Sequence, residues 1–375
     1  MTSRRLRLSL LVFAWLCCSA SHAEIVIAQV APRTGPLGPN GVANYGGAKA
    51  LIDDVNAKGG INGQRLRLVF EDDQYQPEET IRLLQQVAAR DKPLLFINLL
   101  GSANVSAVLK DGTLERLGIA AVGITPGSEA LRSPGSAWMF HVQAGDKLQL
   151  QRIVGHLSTI GVSSVGVVYQ DIPFGQSGLR FVEELAGRAG IRVVGRSPVK
   201  PGSDELREAA AQLKQSGAQT YVMVLAPNSG AAFVRDVRAT QDKTPIYGMS
   251  YVSVREVVAK AGGPQADGVA LAQITPNTFS DGTSLVREFK RVMQRFGPDG
   301  GAAPDQLQLM GYIAARAAVE ALRAAGPSPT PAKVQAALKT LKFDDGGFPI
   351  DFSHGNVGSA YVNIGVISRN GRLVY

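Results

Sequence analysis

Short apolar runs with strand character alternate with segments of helical period along most of this chain, and few folding plans satisfy that alternation. A strand covered on both faces reads as a continuous apolar run, and the helix after it must return across the sheet. The pattern therefore specifies parallel sheets packed between helices. The first cycle is the clearest. Residues 25–30 form an apolar strand, and Val42, Tyr45, Ala48, Ile52 and Val55 then recur at three- and four-residue spacing on one helix face. Lys58-Gly59-Gly60 ends that helix, because lysine complements the carbonyl end and glycine adopts the left-handed cap. A strand over 66–70 follows. Further cycles pair a helix over 78–89 with a strand over 94–100, and a helix over 105–117 with a strand over 119–123.

A second series begins after a strand over 138–142. Helices over 148–160, 175–188, 204–215 and 231–240 alternate with strands over 165–169, 191–194, 221–225 and 246–249. The chain returns near 273–276, since two long helical patterns, 285–296 and 307–325, follow with no strand between them. It ends in strands over 348–352, 361–368 and 372–375, joined by turns at His354-Gly355-Asn356 and Arg369-Asn370-Gly371. A chain of 375 residues exceeds one ordinary core and suits two α/β lobes.

The first 23 residues are a removable leader. Arg4, Arg5 and Arg7 form a basic end, residues 8–18 an apolar core, and Ser21-His22-Ala23 a small-residue cleavage site. That core is too short for a membrane helix, which needs about 20 residues, and no later segment is long and apolar enough. Cleavage after Ala23 removes Cys17 and Cys18, the chain's two cysteines, so the mature chain has no disulfide or thiol chemistry. Removing the three leader arginines from a formal charge of +8 leaves +5, a mild excess that favours an anionic solute or an acidic partner surface. Basic residues are scattered rather than clustered, which argues against a nucleic-acid partner.

Catalytic motifs are missing. There is no P-loop, zinc signature or Gly-x-Ser-x-Gly elbow. Gly59-Gly60-Ile61-Asn62-Gly63 follows a helix and precedes a strand, the reverse of a dinucleotide fingerprint, so it reads as a turn. Glu71-Asp72-Asp73 with Glu78-Glu79 offers metal-ligand types, yet Pro77 with two acids behind it is also a good helix start. His141, His156 and His354 are far apart. The expectation is a binding protein and not an enzyme, with no cofactor and no metal.

Open α/β sheets bind ligands at the carboxyl ends of their strands, and three loops there carry suitable groups. Gly101-Ser102-Ala103-Asn104 opens a helix, so its free N–H groups and the Ser102 hydroxyl suit a carboxylate, with Asn104 beside them. Ser102 suits a simple helix cap equally well. Thr125-Pro126-Gly127-Ser128 offers further donors or an ordinary turn. Tyr169 to Gly175 places Asp171 and Phe174 at a helix entrance, where Phe174 either covers a ligand or fills the core.

The stretch 24–74 resembles the opening of the type I periplasmic binding proteins, the branched-chain amino-acid (Leu/Ile/Val) receptor family of ABC importers. The resemblance extends over nearly the whole mature chain through AKALIDDVNAKGGING (48–63), GIAAVGITPGSEALR (118–132), YQDIPFG (169–175) and GGFPIDF (346–352). It implies two Rossmann-like lobes with parallel-rich sheets joined by a three-stranded hinge. The lobes expected are 24–142 with 276–342, and 143–275 with 343–375. It also implies that Ser102 and a hydroxyl of the Thr125–Ser128 loop hold a ligand carboxylate, that Phe174 packs on the ligand, and that a permease in the inner membrane is the partner of a periplasmic subunit. A ligand-sensing domain reporting to a regulator is the alternative. One departure is informative: the family tends to hold the ligand ammonium with an acid after the strand matched by 246–249, where this chain has Ser250 and Tyr251. The expected solute is therefore an amino acid whose charge is met elsewhere, by Asp171, or a carboxylate with no α-ammonium.

Overall fold

A computed structural model describes residues 24–298 and 305–375; the leader lies outside them. The first lobe runs β1 (Ile25–Ala31), α1 (Gly38–Ala57), β2 (Leu66–Asp72), α2 (Pro77–Asp91), β3 (Leu95–Ile97), α3 (Ser102–Asp111), α4 (Thr113–Leu117), β4 (Ala121–Val122) and β5 (Met139–Phe140). Its five strands are parallel in the order β2-β1-β3-β4-β5. All of β1 is buried, and its residues divide between two cores: Ile25 and Ile27 join one face, Ala28 and Val30 the other. That two-faced burial is why the sequence shows an apolar run instead of alternation.

The second lobe comprises α5 (Asp146–Thr159), β6 (Ser164–Gln170), α6 (Pro173–Arg188), β7 (Arg192–Val199), α7 (Arg207–Gln215), β8 (Thr220–Val224), α8 (Pro227–Ala239), β9 (Ile246–Gly248), α9 (Val254–Ala261), α10 (Gly263–Ala266) and β10 (Ala270–Gln273). The chain then returns through α11 (Ser284–Phe296), α12 (Gln306–Ala324), α13 (Pro331–Thr340), β11 (Lys342–Asp344) and β12 (Pro349–Asp351), before β13 (Asn363–Ile367) and β14 (Leu373–Val374). The second sheet has the order β14-β13-β10-β9-β8-β6-β7, parallel from β10 to β7 and antiparallel at β13 and β14.

Local signals placed most elements. Pro77 begins α2 with Glu78 and Glu79 in its first turn, and α1 ends where Gly59 and Gly60 take φ of 96° and 76°. The helix expected over 105–117 is instead two, because Gly112 at φ 69° interrupts it. Helices α9, α10 and α13 and strand β10 were not anticipated. The stretch 343–352, read from the sequence with the second lobe, falls in a β11–β12 hairpin whose Phe348, Ile350 and Phe352 enter the same core as Phe140, Phe289 and Tyr312. Phe352 meets Phe140 edge-on at 5.2 Å. An apolar alternation shows that a strand has a buried face; it does not show which core receives it.

Among the described residues the chain passes between the sheets near 142–146, 273–284 and 352–363. Ala144, Ile274, Leu307 and Met310 form a small buried cluster at these crossings, with Val362 packed against it. His141 ties two crossings together: its N–H donates to the Asn356 carbonyl and its carbonyl accepts from the Gly358 N–H, both at 2.8 Å.

Candidate ligand-binding site

The carboxyl ends of both parallel sheets face one cavity of about 220 Å³ between the lobes. Leu37, Asn40, Tyr75, Gly101, Ser102, Thr125 and Gly127 line it from the first lobe, and Gln170, Ile172, Phe174, Pro201, Pro227 and Tyr251 from the second. Among the described residues that line it, none carries a charged side chain.

Ser102 is the first residue of α3, and Gly101 occupies the cap position, so its hydroxyl does not cap the helix. Its oxygen accepts from the N–H groups of Gly127 at 2.8 Å and Ser128 at 2.9 Å, tying the loop after β4 to the helix after β3. A serine oxygen has two lone pairs and one proton. Both lone pairs are engaged, which leaves the proton for the cavity. Thr125 stands beside it, buried, with its hydroxyl 3.3 Å from the Gly123 carbonyl.

Tyr75 reaches the same corner from the loop after β2. Gln74 and Tyr75 both have left-handed backbones, φ 53° and 62°, and the fully buried Asp73 holds the turn. Its carboxylate accepts from the Tyr75 N–H at 3.0 Å, the Thr80 hydroxyl at 2.8 Å and the Asn104 amide at 3.0 Å. Burial raises the Asp73 carboxyl above its ordinary range, partly offset by those bonds. Burial holds the Tyr75 phenol above its ordinary value, with the Ala103 backbone pulling it down, and its ring lies so close over Gly101 that a Cβ there would be 2.2 Å from a ring carbon.

Opposite, Phe174 is the second residue of α6, after Pro173, and meets the Tyr251 ring edge-on at 5.5 Å. The Tyr251 hydroxyl donates to the buried Asp146 at 2.6 Å. Burial pushes the Asp146 carboxyl up to about 8, with Tyr251 and Arg132 pulling it down, and burial likewise holds the Tyr251 phenol well above its usual value. Asp146 stands directly behind Gly127, where a Cβ would lie 2.9 Å from one of its oxygens and 2.3 Å from the Phe174 ring.

Residues 24–369 match a family model described as periplasmic binding protein. The chain belongs to the periplasmic binding protein family. It is 35% identical to an extracellular ligand-binding receptor from Verminephrobacter eiseniae, with a TM-score of 0.87 over 94% of this chain and all of the other. A substrate-binding periplasmic protein from Ralstonia solanacearum is 28% identical, with a TM-score of 0.88 over 94% of this chain and 99% of the other. An amino acid binding protein from Pseudomonas aeruginosa is 26% identical over 85% of this chain and 83% of its own length.

Within this periplasmic binding protein, four of the eight residues expected at the site share the cavity: Ser102, Thr125, Phe174 and Tyr251. Asn104 and Ser128 stand outside the lining, Asn104 bonded to Asp73 and Ser128 donating its N–H to Ser102. Asp171 is exposed and accepts from Gln176 at 2.9 Å. Ser250 is buried on a different cavity, its N–H bonded to Gln149 at 3.0 Å. Neither Tyr75, which lines the cavity, nor Asp146, which stands behind Gly127, was singled out from the sequence. The signal for Tyr75 was an aromatic side chain just beyond the carboxyl end of a parallel strand, where ligands are bound; Asp146 gave none, because its relation to Tyr251 spans 105 residues. Among the described residues, no group of three or more His, Cys, Asp or Glu side chains is arranged to hold a metal ion.

Proposed function

We propose that this protein is the periplasmic solute-binding subunit of an ABC importer, and that its solute is a small carboxylate lacking an α-ammonium, with an aliphatic or aromatic body. The uncharged lining of the cavity carries the reading. A buried ammonium without a charged partner is strongly penalised. A carboxylate is served by the amino end of α3 and by the Ser102 hydroxyl, while Leu37, Ile172, Phe174 and Pro227 suit an apolar body.

The solute first rests on one lobe, and contacts from the other stabilise a closed state that a permease distinguishes from the open one. Hinge closure of this type follows wherever a ligand touches both lobes of a two-lobed receptor, since only the closed state gains both sets of contacts. The relative named for amino-acid binding supports a second reading, an amino acid. The buried acid available to its ammonium is then Asp146, behind the lining residue Gly127. With its carboxyl raised to about 8, Asp146 is mainly protonated at neutral pH and makes a poor counter-ion.

Thermal unfolding of the mature protein, unfolded and refolded to strip carried-over solute, tests the choice. A ligand specific to the folded state stabilises it by about 2.7 kcal/mol at 100 times its Kd. Stabilisation by benzoate, phenylacetate or hexanoate but not leucine, isoleucine or valine is expected. The reverse order restores the amino-acid reading. Loss of solute uptake on deletion separates an importer subunit from a domain that reports to a regulator.

A further inference from the structure

We infer that Tyr75 is a specificity-determining ligand residue, its hydroxyl donating together with that of Ser102 to the solute carboxylate. The inference rests on the carboxylate reading above. Three backbone N–H groups at this corner would ordinarily meet an anion directly, those of Ala103, Gly127 and Ser128. Two of them, those of Gly127 and Ser128, are already taken by the Ser102 hydroxyl, and Tyr75 lines the cavity beside Ala103. On the side of the loop after β4 the anion therefore meets the Ser102 proton and not the two amides behind it. The Ser102 hydroxyl is polarised from behind by the two N–H groups it accepts, and it stands at the positive end of the ten-residue α3.

Chemical selectivity follows from the direction of these bonds. With its lone pairs engaged, Ser102 can only donate toward the cavity, and the Tyr75 hydroxyl offers a second proton from the cavity wall. A carboxylate offers acceptors alone and satisfies both. A carboxamide or an ammonium turns N–H groups toward donors and leaves polar groups unpaired, the arrangement that discriminates most strongly in a buried site.

The local structure is built to hold Tyr75 in place. Two successive non-glycine residues take left-handed backbones, and a fully buried carboxylate gathers three donors to fix the turn. Strain retained by such over-determined surroundings clusters at functional sites. Asn104 is one of those three donors, so it positions Tyr75 without touching solute. Gly101 leaves room for the ring, which would collide with any side chain at that position.

The test is Tyr75→Phe, which keeps ring and turn and removes the hydroxyl. Calorimetric titration of the mature chain compares benzoate, phenylacetate and hexanoate with their carboxamides. The expected result is a carboxylate affinity lower by about ten- to a hundred-fold, with carboxamide affinity unchanged or improved. Asn104→Ala, which loosens the turn but keeps the hydroxyl, gives a smaller loss in the same direction. Equal loss for carboxylates and carboxamides, or none for either, overturns the role of Tyr75 while leaving the carboxylate reading standing. Wild-type protein that binds none of the three carboxylates removes that reading and the role of Tyr75 with it.

Discussion

Ser102→Ala separates a loop tie from a ligand donor, because the structure gives the hydroxyl both tasks. Removing it leaves the N–H groups of Gly127 and Ser128 without their partner. Gly127 is buried and has no replacement, whereas Ser128 is half-buried and can recover water. The expected loss of stability is thus that of one unsatisfied buried donor, about 1–3 kcal/mol, rather than twice that. The ligand term is separate: a hydrogen bond to a charged group contributes about 1.5–3 kcal/mol, so benzoate affinity falls by about ten- to a hundred-fold. Urea unfolding without ligand reads the first quantity, and calorimetric titration at a temperature where the variant is folded reads the second. Unchanged stability refutes the tie between the two loops. Reduced stability with unchanged affinity refutes the donor role and leaves Ser102 as a structural residue.

Asp146 gives a pH dependence of definite sign. Its carboxyl is raised to about 8 in the folded protein, so the fold binds this proton more tightly than the unfolded chain does. That contribution is fully present below about pH 4 and is lost as pH rises from there through about 8, so Asp146→Asn, which still offers Tyr251 an acceptor, flattens the fall in Tm across that window. Parallel curves for variant and wild type would count against it. Gly127→Ala places a Cβ 2.3 Å from Phe174 and 2.9 Å from Asp146, and is expected to cost about 1–3 kcal/mol in urea unfolding and to weaken benzoate binding; wild-type values for both would show that the wall is loose. Asp171→Asn, at an exposed residue bonded to Gln176, should change stability by less than about 0.5 kcal/mol and leave the Kd for benzoate unaltered; a shifted Kd would return Asp171 to the site.

Periodicity and punctuation in the sequence determined the class of fold and the loops in which a ligand site had to lie. The apolar run of β1, the glycines after α1 and Pro77 at the start of α2 act through backbone geometry within a few residues, so they are legible locally. Ser102, Thr125 and Phe174 could be placed at the cavity from the sequence because they follow the carboxyl ends of parallel strands. Tertiary structure decided what each loop residue faces. Asn104 lies two residues along α3 from Ser102, a rotation that turns its side chain away from the cavity toward Asp73. Tyr75 meets Gly101 from a different strand, and Asp146 meets Tyr251 across 105 residues. The β11–β12 hairpin found its core in the first lobe for the same reason. Such pairings are set by how the sheets and their covering helices pack, and residues far apart in the chain leave no local period by which to read them.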